Sequence, residues 1–286
     1  MGFRPLAPAS GRCNLGLDST AQVLMARAAR KRPRPQRPAY GWLPDLPDHR
    51  DHVYGTTYGV PAALPPRADL RAHCPPIENQ GPINSCTGNA LAGALEFLEK
   101  RDRKPFVNLS RLFIYYNERV LEHSTRSDSG AMIRDGIKTL VKQGVCAERH
   151  WAYRPANVTK RPARACYTEA LTHQVTSYQR ITSLGEMRAC LASGFPFVFG
   201  FTVYESFESP QVARSGVLDM PGLGEQAVGG HAVLAVGYDD ATRRFIVRNS
   251  WGARWGQRGH FTMPYDYLTD DNLADDMWTI RRGERL

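Results

Sequence analysis

A cysteine, a histidine and an asparagine carry the chemistry of this sequence. Cys86 lies in QGPINSCTGNALAGALE, residues 80–96, between a polar turn and a run with helical spacing. A thiol attacks a carbonyl as its thiolate, and a helix N-terminus favours that form because unpaired N–H groups and the dipole stabilise negative charge. A lone cysteine there is equally compatible with a buried filler or half of a disulfide. A base would decide for the nucleophile, and GGHAVLAVGYDDATRRFIVRNSWG, residues 229–252, offers one. Two apolar strands flank the turn YDDATRR. Pairing about a midpoint near Asp240 sets His231 opposite Asn249. The carboxamide then fixes the imidazole tautomer and leaves the other ring nitrogen to face the thiol. Either residue alone reads as structural; with Cys86 they make a Cys–His–Asn arrangement.

The elements that must position these groups fall into two halves. After Ser85, apolar residues at Ala90, Leu91, Ala94, Leu95 and Leu98 predict a helix over 86–98. A second helix is expected over 110–122 with Ser110 as N-cap, and a third over 132–144, stopped by Gly144. Strands are expected at 195–204, 231–240 and 244–252, rich in Val, Phe and Ile between turn signals. Helices first and antiparallel strands second imply an α+β fold of two subdomains with a cleft between them. The chain has 286 residues, 42% of them hydrophobic, enough for a sizeable core.

The net charge of +9 is unevenly placed: residues 1–40 carry +7 of it. The basicity belongs to a leader, so nucleic-acid binding is expected only weakly, through that segment. Residues 1–39 read as a basic, Pro/Arg-rich disordered leader. Residues 40–64 read as an irregular extension on the surface of the main domain, which runs over 65–286. No stretch is long and apolar enough to span a bilayer, and the leader lacks the apolar core of a secretory signal. The compartment therefore stays open between cytoplasm and another export route. The six cysteines (Cys13, Cys74, Cys86, Cys146, Cys166 and Cys190) form no CxxC and no zinc spacing, so no metal and no cofactor is expected. Most read as reduced thiols.

Three blocks in order, Q-G-x-x-x-S-C at 80–86, G-H-A-V-L-A-V-G-Y at 230–238 and N-S-W-G-x-x-W-G-x-x-G at 249–259, resemble the signatures of papain-family cysteine proteases, closest to its short bacterial members. The resemblance implies a papain-like fold: a helical left subdomain, an antiparallel β-barrel-like right subdomain and the active-site cleft between. It implies Cys86 as nucleophile, His231 as base and then acid in a thiolate–imidazolium pair, Asn249 as its orienter, and Gln80 with the Cys86 N–H as oxyanion hole. Trp251 would shield the His–Asn bond. Ser129 and Gly130, in D-S-G-A at 128–131, would pair with an extended peptide. Gly229, Gly230 and Ala232 would line the pocket for the second residue before the scissile bond. Thr87 replaces the family's usual Trp, Ile83 a common disulfide cysteine, and Leu70 a usual Trp. Asp275 and Asp276 fall where the family closes its main specificity pocket, and read as a plain surface turn.

The expected function is thus a cysteine endopeptidase acting on peptide or protein substrates, restrained by autoinhibition through residues 40–64. The alternatives are a non-proteolytic acyl transferase or deamidase on the same fold, and a catalytically silent peptide-binding module.

Overall fold

The computed structural model describes residues 1–2 and 39–283. It divides into two units, Met1–Gln36 and Arg37–Leu286, and every element described lies in the second. The leader expected over residues 1–39 falls almost wholly outside the described residues.

The extension begins with strand β1 (Trp42–Leu43) and a short helix, α1 (Tyr54–Tyr58). It is less superficial than expected: Trp42 and Tyr54 are buried. Strand β2 (Arg67–Asp69) follows, then helices α2 (Cys86–Arg101), α3 (Arg111–Leu121) and α4 (Ile133–Lys142), with the two-residue strand β3 (Ala131–Met132) just before α4. The remaining strands are β4 (Ser177–Arg180), β5 (Phe197–Tyr204), β6 (Ala227–Asp239), β7 (Arg244–Arg248), β8 (His260–Pro264) and β9 (Ala274–Arg281). All three helices and all three strands expected from the sequence form, with end shifts of a few residues.

Helix α2 is the spine of the helical half. Fourteen of its sixteen residues are buried, so it is enclosed on all sides, where the sequence pattern predicts a single apolar stripe. Small residues permit this. A Cβ on Gly88 would lie 2.6 Å from the Arg111 carbonyl oxygen of α3, and one on Gly93 would lie 3.3 Å from the Arg248 guanidinium. Ser110 caps α3 by accepting the Phe113 N–H, as expected.

The sheet runs β4-β9-β5-β6-β7-β8, with β2 also on β6, and every pairing in it is antiparallel. The thirteen-residue β6 is its centre. Leu91, Leu95, Phe113 and Ile137 belong to a core around the helices, and Phe199, Phe201, Val233 and Phe261 to a second under the sheet. Such a mixture of helices and antiparallel sheet is an α+β fold. The register of the β6–β7 hairpin differs from expectation. Leu234 pairs with Arg248, and a bulge between Ala235 and Gly237 shifts the ladder. Asn249 therefore lies just past the end of β7 and not directly across from His231.

Candidate active site

Four chain segments bring the predicted chemistry together. Cys86 opens α2, His231 sits in β6 opposite Phe201 of β5, Asn249 follows β7, and Gln80 lies in the turn before α2. All four are buried. Asn249 reaches the imidazole despite the shifted register, because its side chain bridges the offset: His231 Nε2 to Asn249 Oδ1 is 2.9 Å. This bond makes Nε2 the protonated nitrogen and leaves Nδ1 without a hydrogen bond among the described residues. Trp251 stacks on the imidazole at 5.1 Å and 28°.

Ser250 was not singled out by sequence reasoning, although it lies inside the N-S-W-G block. Its backbone N–H donates to Asn249 Oδ1 at 2.8 Å and its hydroxyl donates to Gln80 Oε1 at 2.6 Å. One residue thus orients both amides. With Oε1 occupied, the Gln80 amide nitrogen must point away from Ser250. It donates to the carbonyls of Ile83 and Ala39, both at 3.0 Å.

The Ala39 contact, at the last residue of the expected leader, is followed by several from the extension, which lies along this site. The Gly41 N–H, with those of Ala232 and Thr87, is directed at the Cys86 sulfur. The Gly41 carbonyl accepts from the Ala131 N–H at 2.7 Å, and β1 runs parallel to β3, Trp42 beside Ala131 and Leu43 beside Met132. Tyr40 packs edge-on to His231 at 6.1 Å and donates its hydroxyl to Glu208.

Trp42 fills a pocket. A Cβ on Gly200 would lie 1.9 Å from its ring, and one on Gly230 would lie 2.7 Å from its carbonyl oxygen. A glycine inside the buried run FPFVFGF is the sequence signal of such an approach. The indole N–H donates at 2.9 Å to Asp276 Oδ2. Asp276 is therefore no surface turn: it is fully buried, at φ 58°, while Asp275 stays partly exposed. Gly229 lies against Tyr40, where a Cβ would come 2.6 Å from the tyrosine Cβ.

The peptide-pairing residues also differ from expectation. The Gly130 N–H is taken by the Tyr115 hydroxyl at 2.9 Å, and Ser129 turns to Ser124. Gly130, at φ 82°, instead gives room: a Cβ would stand 2.4 Å from the Gly41 carbonyl oxygen. Ala131 makes the backbone bond. Thr87, in place of the bulkier residue, donates to the buried Glu118 at 2.7 Å.

The electrostatics match a covered site. Burial pushes the Cys86 thiol up to about 11, against the N–H groups of Ala232, Gly41 and Thr87 that favour thiolate. Burial likewise holds His231 down at about 4, opposed by its bond to Asn249. Thiol and imidazole are both neutral beneath the extension, because the low-dielectric surroundings penalise either charge. All five described cysteines are free thiols. Among the described residues no group of His, Cys, Asp and Glu could hold a metal ion, and no helix is long and apolar enough to cross a membrane.

A family model for papain family cysteine proteases matches residues 64–277. A peptidase C1-like protein of Acanthamoeba polyphaga mimivirus is 48% identical over 214 residues, 71% of this chain and 68% of that protein. The chain covers 64% and 65% of two cathepsin B-like proteins of Giardia intestinalis. Among solved structures, xylellain, a cysteine protease from Xylella fastidiosa, superposes with a TM-score of 0.80 at 44% identity, over 88% of this chain and 98% of that one. Digestive procathepsin L 3 of Tenebrio molitor shares the fold at 15% identity and a TM-score of 0.65, over 85% of this chain and 76% of that one. With the family match spanning most of the chain, the chain belongs to the papain family of cysteine proteases, which are hydrolases.

Proposed function

We propose that this protein is a cysteine endopeptidase working through Cys86, His231 and Asn249, with Gln80 as oxyanion donor, and held latent by its own residues 39–45. The observation that carries the reading is the strap's contact with the oxyanion donor, the sulfur and the adjoining pocket. Ala39 takes the Gln80 amide, Gly41 faces the sulfur, and Trp42 fills the pocket between Gly200 and Asp276. The sulfur meets an N–H of the strap, so no substrate carbonyl can take that place while the strap is seated.

Once the strap leaves, water enters and the thiolate–imidazolium pair becomes affordable. The thiolate attacks the substrate carbonyl, and the Gln80 amide and Cys86 N–H hold the oxyanion. His231 gives its proton to the leaving amine, forming a thioester. It then takes a proton from water, which hydrolyses the thioester and restores the thiol. The Asn249 bond at Nε2 keeps Nδ1 available for both transfers. The vacated pocket, apolar with a carboxyl at its end, favours a second residue before the scissile bond that has an apolar body and a hydrogen-bond donor at its tip.

A fluorogenic peptide tests the reaction class, since only peptide-bond cleavage releases the dye and acyl transfer to another amine, or deamidation, leaves a different product. An epoxide directed at thiols should give one adduct, on Cys86, lost in His231→Ala. A form starting near Pro65 should cleave faster than the full chain. Equal rates would remove the strap from the account.

A further inference from the structure

The strap is fastened at a point away from the sulfur. Asp45 follows β1 and meets Asp276 of β9 in a closed exchange of bonds. The strap's Trp42 gives its indole N–H to the body's Asp276 Oδ2 at 2.9 Å, and the body's Trp278 gives its indole N–H to the strap's Asp45 Oδ2 at 2.8 Å. The Asp45 backbone N–H also donates to Asp276 Oδ2 at 2.8 Å, and the Arg134 backbone N–H to Asp45 Oδ1 at 3.1 Å. Both carboxyls are buried, and Asp276 Oδ1 has no hydrogen-bond partner among the described residues.

We propose that this reciprocal indole–carboxyl clasp is a pH-dependent lock, closed in acid and loosened as pH rises, because two carboxylates cannot both stay charged in it. The inference rests on the latent-form reading above and gives that latency its control.

The surrounding charges do not neutralise the pair. On α4, Arg134 lies near Asp45, but its Nη1 is bonded to Asp51 at 2.8 Å and its Nη2 to the Leu46 carbonyl. On β4, Arg180 comes to 3.5 Å of Asp276 Oδ1, but it is bonded to Asp275 at 2.7 Å and lies 3.7 Å from Asp51. Asp48 is paired with Arg50, and Asp135, on α4, with Lys138. Four carboxyls, Asp45, Asp51, Asp275 and Asp276, thus share two guanidiniums. Burial, then repulsion from Asp276, pushes Asp45 up to about 7, against the Trp278 and Arg134 N–H groups and the Arg134 charge. Asp276 is raised by burial first and then by Asp275, against the Asp45 N–H, Trp42 and Arg180.

The sign follows. A released strap exposes Asp45, whose carboxyl then titrates near 4. The closed form therefore binds a proton that the open form does not. Its advantage is complete below ~4, falls about tenfold per pH unit from there, and is gone once pH has risen through ~7.

The test uses the full chain carrying Cys86→Ala and 5-fluorotryptophan, read by fluorine NMR, with the Trp42 resonance assigned by Trp42→Phe. The released fraction should rise at least tenfold between pH 5 and 7. In Asp45→Asn, which is neutral throughout, Trp42 should stay buried across the range. Asp276→Asn, suited to a positive φ, is the companion variant and should also flatten the profile. A pH profile in Asp45→Asn equal to the parent's, or Trp42 buried at every pH in the parent, overturns the clasp while leaving the latent form standing. Trp42 exposed at every pH overturns the latent form itself and the clasp with it.

Discussion

On the proposed latent form, replacing Trp42 by alanine should release the strap and leave the site largely open. The indole is 9% exposed, seated between Gly200, Gly230 and Asp276. A buried tryptophan removes ~150–250 Å² from water, about 4–6 kcal/mol at ~25 cal/mol per Å². Measured truncations of buried aromatic side chains fall at about 3–5 kcal/mol. The lower end alone is more than a hundredfold in the balance between seated and released strap, at about 1.4 kcal/mol per tenfold. Trp42 also belongs to the core around the helices, so the same change should lower the melting temperature, which is measured alongside. The assay is the second-order rate of Cys86 modification by iodoacetamide at one pH, wild type against Trp42→Ala, with peptide cleavage measured alongside. While the closed form dominates, both rates scale with the open fraction, so each should rise by about a hundredfold or more. Rates within twofold of wild type, together with a lowered melting temperature, would show Trp42 to be ordinary core packing and refute the argument.

Other consequences follow from single contacts. Ser250→Ala frees Gln80 Oε1, so kcat should drop about tenfold with KM little changed, because the misaligned donor matters most as the oxyanion forms; kinetics on the form starting near Pro65 would check this. Gln80→Ala removes that donor outright and should cost about 10²–10³ in kcat. Gly200→Ala places a methyl where the Trp42 ring lies. It should speed iodoacetamide labelling of Cys86 while lowering kcat/KM for peptides with a bulky second residue before the cut. Asp276→Ala should lower the preference for tryptophan or a basic residue at that position over leucine by about tenfold, read from paired peptide substrates.

The sequence by itself determined the α+β class and the three main helices, and it named the residues of the candidate site, because those readings depend on local signals: apolar period, a cysteine at a helix start, and short motifs in fixed order. Tertiary structure decided what surrounds them. The His231–Asn249 contact survives a register that hairpin symmetry does not predict, since a bulge near Val236 shifts the ladder and only the side chain makes up the offset. Ser250 joins Gln80 to Asn249 across 170 positions of sequence, a link no local pattern encodes. Asp276 looks like half of a polar turn until Trp42, 234 residues away, is laid on it. Burial is a property of the packed chain, and burial is what turns that carboxyl, with Asp45, from surface charge into a clasp.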